Sequence, residues 1–115
     1  VRILSPKIHG ILDYAVVLVF LAAPALFGLT GLAAQLSYAL AAVHLALTLL
    51  TDFSLGALRV IPLTVHGWIE LAVAPTLAAA PWILGFGFRA RIFYVAAGAA
   101  IFLVWCATDY RAAPR

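Results

Sequence analysis

The chain has 115 residues, enough for one domain, and is 67% hydrophobic and 10% charged, against about 45–50% apolar and about 25% charged in a soluble domain. A 12.2 kDa protein cannot hide that much apolar surface in water, because small domains leave much of their surface exposed; an ordinary soluble domain is excluded. The net charge of +3 arises from seven basic residues against four acids, too few and too scattered for a nucleic-acid surface, which needs a basic stripe.

A membrane helix needs about 20 mainly apolar residues. The stretch from Tyr14 to Thr51 holds no charged side chain and is too long for one span, so Gly28-Leu29-Thr30-Gly31 supplies the break. The first helix is expected over Lys7–Phe27, with Ser5-Pro6 as N-cap and first-turn proline, and the second over Ala33–Asp52. The third is expected over Leu63–Leu84, ended by Gly85-Phe86-Gly87, and the fourth over Arg91–Asp109. Pro24, Pro75 and Pro81 fall inside helices, which neighbouring helices tolerate in a bilayer. The first apolar run lacks a small-x-small cleavage site and reads as a span rather than a signal peptide.

Charge sets the expected orientation. Arg2, Lys7, Arg59, Arg111 and Arg115 lie on one side and only Arg89 and Arg91 on the other, which puts both termini in the cytoplasm. Tyr38, Trp82 and Tyr94 are expected in the outer aromatic belt, and Tyr14, Trp68 and Tyr110 in the inner one. The single cysteine, Cys106, excludes an intramolecular disulfide and reads as a small buried hydrophobe.

Aligned with itself at an offset of 57 and no gap, the chain repeats. His9/His66, Gly10/Gly67, Pro24/Pro81, Gly28/Gly85, Thr51/Thr108 and Asp52/Asp109 are identities, and Asp13/Glu70 and Phe53/Tyr110 are conservative partners. Each unit, about 1–57 and about 58–115, reads as a two-helix hairpin. Two parallel hairpins related by an axis along the membrane normal predict an all-α, integral membrane four-helix bundle in a single domain. The units read His-Gly-x-x-(Asp/Glu), Ala-Ala-Pro-x-x-x-Gly and Thr-Asp-(Phe/Tyr). With Ala80-Pro81-Trp82-Ile83-Leu84-Gly85-Phe86, the second resembles the SPW repeat family of small bacterial membrane proteins, whose hairpins carry a Ser-Pro-Trp turn and a Gly-aromatic step. Ala80 stands where that family has serine, and the first unit has Ala23-Pro24-Ala25. The resemblance implies a four-span membrane protein and carries no activity with it.

The four acids, Asp13, Glu70, Asp52 and Asp109, and two of the three histidines, His9 and His66, form repeat-related pairs that the topology puts on one side. His9 and Asp13 share a helix face, as do His66 and Glu70. A carboxylate at a helix C-terminus meets the negative end of the dipole, so Asp52 and Asp109 need donors, which His9, His66, Arg2 and Arg59 can supply. The leading expectation is a structural polar network. The alternatives are a metal site, since four-helix bundles build such sites from carboxylates and histidines, a proton- or ion-handling site, and a haem or pigment held by the His9/His66 pair.

His44, whose counterpart is Ile101, is expected about 12 Å deeper than Asp52 at 1.5 Å per residue, bonded to a backbone carbonyl or to Thr48. A ligand role toward a pigment, quinone or haem is the alternative. Ala96, Gly98 and Ala100, with Ala39 and Ala42, predict close helix packing. No nucleophile–base pair, phosphate loop or paired-cysteine motif occurs. The expected function is therefore non-catalytic: an accessory subunit of a larger membrane complex, or a self-associating bundle, in the bacterial cytoplasmic membrane.

Overall fold

Helices form where the apolar runs predict them. In this computed structural model, which describes residues 2–112, α1 spans Pro6–Phe27, α2 Gly31–Leu50, α3 Leu63–Ile83 and α4 Phe88–Ala107. Among the described residues there is no strand, only two isolated bridges; Arg115, counted above, lies outside them. All four helices are long and apolar enough to cross a bilayer. The long dimension of the molecule, 42 Å, is close to the ~40–45 Å of a bilayer with its headgroups. The end where α1 begins and α4 finishes is termed the base, and the opposite end the apex.

At the apex the Ala-Ala-Pro-x-x-x-Gly pattern is a helix terminator. Gly28 and Gly85 take left-handed φ values of 65° and 69°, a conformation that costs glycine nothing. The next N–H then turns back onto the proline carbonyl, Leu29 to Pro24 at 3.0 Å and Phe86 to Pro81 at 2.8 Å. Pro24 has no N–H to give the Phe20 carbonyl one turn earlier. Ser37 of α2 supplies the missing donor through Oγ, at 2.6 Å.

The base departs from the expected boundaries. Against the predicted Ala33–Asp52 and Arg91–Asp109, α2 and α4 begin two to three residues early and stop two residues short. Thr51 and Thr108 are already extended, with ψ of 139° and 135°. The cause is a chain segment that takes over the final carbonyls. Leu4 donates to Ala107 (2.8 Å) and accepts from Asp109 N–H (3.0 Å), while Ile61 donates to Leu50 (2.8 Å) and accepts from Asp52 N–H (2.7 Å). Asp52 and Asp109 therefore do not close the helices; they lie beyond them.

α1 packs along α2 and α3 along α4, with a smaller contact between α1 and α4. The buried positions of α1 (Pro6, His9, Gly10, Asp13, Val17, Phe20, Ala23, Pro24) recur 57 residues on as the buried positions of α3. At Gly98, α4 lies against the backbone of α3, where a Cβ would crowd the Ala74 carbonyl and lie 3.2 Å from that of Ala78. Ala96 and Ala100 are exposed. Two belt assignments are corrected. Tyr94 is wholly buried and donates its hydroxyl to the Ala33 carbonyl at 2.6 Å, and Tyr110 is buried at the base. Trp68, Trp82 and Tyr38 are exposed.

Candidate functional site

The i, i+4 spacing puts His9 and Asp13 on the inward face of α1, and His66 and Glu70 on that of α3. The two faces meet at the base and form a closed ring of alternating imidazole and carboxylate. His9 Nε2 lies 3.2 Å from Asp13 Oδ2 and 3.0 Å from Glu70 Oε2. His66 Nε2 lies 3.0 Å from Asp13 Oδ2 and 2.9 Å from Glu70 Oε1. Both histidines are 1% exposed and both acids 3%. Each imidazole thus touches the carboxylate of its own helix and that of the other.

Behind each ring nitrogen stands a threonine from the other half of the chain. His9 Nδ1 is 2.7 Å from Thr108 Oγ1, and His66 Nδ1 is 2.7 Å from Thr51 Oγ1. Each hydroxyl also lies 2.6 Å from a carbonyl of its own helix, Val104 for Thr108 and Leu47 for Thr51. A carbonyl can only accept and a hydroxyl has one proton, so both threonines donate to the carbonyl and accept from the histidine. The proton on each Nδ1 is thereby fixed, and both Nε2 atoms face the carboxylates.

Gly10 and Gly67 make room for this arrangement. A Cβ on Gly10 would overlap the ring of Phe53, and one on Gly67 would lie 3.0 Å from that of Tyr110. The His-Gly and Thr-Asp-(Phe/Tyr) patterns are therefore two sides of one contact: threonine holds the histidine and the aromatic ring covers the glycine.

The ring has one outer donor on each carboxylate, and these break the pairing. His44 Nε2 meets Asp13 Oδ1 at 3.2 Å, where the counterpart Ile101 has nothing to give. Tyr110 donates its hydroxyl to Glu70 Oε2 at 3.1 Å, where the counterpart Phe53 has no hydroxyl. Burial, and then the Glu70 charge, push the Tyr110 phenol well above its ordinary value, so it remains a donor.

Of the sequence-derived candidates, the structure brings His9, Asp13, His66 and Glu70 together, with ligand atoms all within 4.8 Å of one another. Asp52 and Asp109 stand outside this set because the helices end before them. Asp109 instead accepts the Arg111 N–H at 3.0 Å in a local turn. Arg2 donates to the Thr108 carbonyl and lies over Trp105 at 5.4 Å; Arg59 donates to the carbonyls of Ser54 and Gly56. His44, expected apart and bonded to a carbonyl or Thr48, joins the ring through its imidazole, while Thr48 bonds the His44 carbonyl. The alternative of a haem held by His9 and His66 meets two carboxylates that each contact both imidazoles, whose ring centroids are 5.6 Å apart. Sequence reasoning missed Thr51, Thr108 and Tyr110. The signal was present in the repeated Thr-Asp-(Phe/Tyr), read there for its aspartate alone.

Comparison with protein-family models, curated proteins and solved structures finds no match.

Proposed function

We propose that this is a small, non-enzymatic integral membrane protein whose working part is the centre at the base, where cationic charge is held between two buried carboxylates. The observation that carries this reading is the burial of Asp13 and Glu70, 3% exposed each, between imidazoles that are 1% exposed. Two carboxylates cannot share such a place without compensating positive charge, either protons on the imidazoles or a bound ion. Such a ring is a poor way merely to hold helices, since apolar side chains of similar volume often do so as well or better. Ionisable groups buried between membrane helices commonly mark function.

The chain is two tandem hairpins, about 1–57 and 58–115, as the recurrence of the buried positions of α1 in α3 supports. It sits in the bacterial cytoplasmic membrane with both termini inside, and belongs with the SPW repeat proteins it resembles. Its lipid-facing surface carries large exposed apolar side chains, among them Leu18, Leu26, Val43, Ile83, Phe88 and Leu103; these suit lipid, neighbouring subunits of a complex or a second copy. The test uses single cysteines at Thr30 and Arg111 in a Cys106→Ser background, labelled in sealed membranes by an impermeant thiol reagent. Thr30 should label from outside and Arg111 only from the cytoplasmic side; labelling of both from one face contradicts the topology.

A further inference from the structure

We infer that His9, Asp13, His66 and Glu70 form a mononuclear site for one divalent transition-metal ion, bound through both Nε2 atoms and both carboxylates. This inference rests on the reading of the base as a cation-bearing centre and names the cation.

Four features of the geometry converge. First, the threonine hydroxyls fix a proton on each Nδ1, which leaves each Nε2 as the atom available to a metal. In metal sites the other ring nitrogen of a ligating histidine is almost always tied down in this way. Second, His9 Nε2 and Asp13 Oδ2 are buried without a well-directed hydrogen bond, although they lie within 3.2 Å of each other. Both point into the ring, where a metal would satisfy them together. Third, the spacing suits one ion. One ligand atom from each residue lies within 4.8 Å of every other, and the contacts around the ring, which use both Glu70 oxygens, measure 2.9–3.2 Å, close to the roughly 3.3 Å between ligand atoms bonded at about 2.0–2.1 Å in a tetrahedral site. Fourth, each of the four ligands has its own outer partner: Thr108, Thr51, His44 and Tyr110.

The donor set selects the class of ion. Two imidazoles with two carboxylates suit Zn(II), Fe(II) or Mn(II), whereas Cu(I) prefers thiolates and thioethers. The chain has no methionine and its one cysteine is not in the ring. Two carboxylates balance one divalent charge, so the site takes a single ion and is unlike the dinuclear carboxylate bundles.

The experiment uses the full chain in detergent, stripped with a chelator, incubated separately with Zn(II), Fe(II) under anaerobic conditions, or Mn(II), then desalted and analysed for bound metal. At least one ion should be retained at one per chain. His66→Ala should abolish retention, and Asp109→Asn should leave it unchanged. Thr108→Val should weaken affinity by about 10–100-fold, the usual cost of losing an outer partner. Retention of none of the three ions by the unmodified protein overturns the inference, as does retention that survives His66→Ala. If no ion is retained but Glu70→Ala still destabilises the protein, protons supply the charge and only the metal assignment falls. If Glu70→Ala is also without effect, the cation-bearing centre falls with it.

Discussion

Replacing Glu70 with alanine should cost the bundle about 3–5 kcal/mol, the usual penalty for breaking a buried ion pair from one side. Glu70 lies 2.9 Å from His66 Nε2 and 3.0 Å from His9 Nε2, and accepts from the Tyr110 hydroxyl at 3.1 Å. Without it, two imidazoles share the one carboxylate of Asp13, and a phenol that keeps its proton loses its acceptor. The truncation also leaves a cavity between α1 and α3, which adds to the loss. Glu70→Gln should fall between the two, because it keeps the volume and one acceptor oxygen but not the charge. Unfolding midpoints in detergent, by heat or by a denaturing surfactant, measure both. A loss below about 1 kcal/mol for Glu70→Ala, the scale of an exposed pair, would mean that water reaches the ring and screens it.

The threonine substitutions should give the second-largest effect. Thr51→Val and Thr108→Val preserve shape and remove one hydroxyl each. In both cases a buried imidazole N–H loses its acceptor, which costs about 1–3 kcal/mol. The two losses should match, because the bonds have the same length of 2.7 Å and both threonines are wholly buried. The double variant should lose more than either single one. Serine at the same positions should restore most of the loss, since it returns the hydroxyl and removes only a methyl group. Unequal losses would show that the two halves of the ring do not carry equal weight. The loss is also an interface loss, because each threonine holds the histidine of the other half of the chain.

The helices were legible in the sequence because length and apolarity suffice to find them, and Gly28 and Gly85 mark where the backbone must turn. Their basal ends were not, because the signal there is not local. Thr51 and Thr108 leave the helix because Ile61, from across the following loop, and Leu4, from the opposite end of the chain, bond to the last carbonyls. Without those bonds, residue counting alone puts Asp52 and Asp109 at the helix ends, level with the ring. The i, i+4 pairs His9/Asp13 and His66/Glu70 were readable because helical periodicity alone puts them on one face. The place of His44 depended on the direction of its side chain rather than its height, and counting residues along α2 gives only height. Tyr94 and Tyr110 show a similar limit: proximity to a helix end does not say whether a ring turns outward to the interface or inward to a partner.

In the ring, both Nδ1 atoms carry protons and both Nε2 atoms face a cation. Nitrogen NMR of ¹⁵N-labelled histidine in the detergent-solubilised protein reads this directly, with His9→Gln and His66→Gln used to assign the signals. Both residues should show a protonated Nδ1, hydrogen-bonded to a hydroxyl, and an Nε2 resonance displaced by a proton or a metal from that of a free lone pair. A protonated Nε2 paired with a lone-pair Nδ1, on either histidine, would contradict it, because the threonine hydroxyls could not then be donating to the Val104 and Leu47 carbonyls.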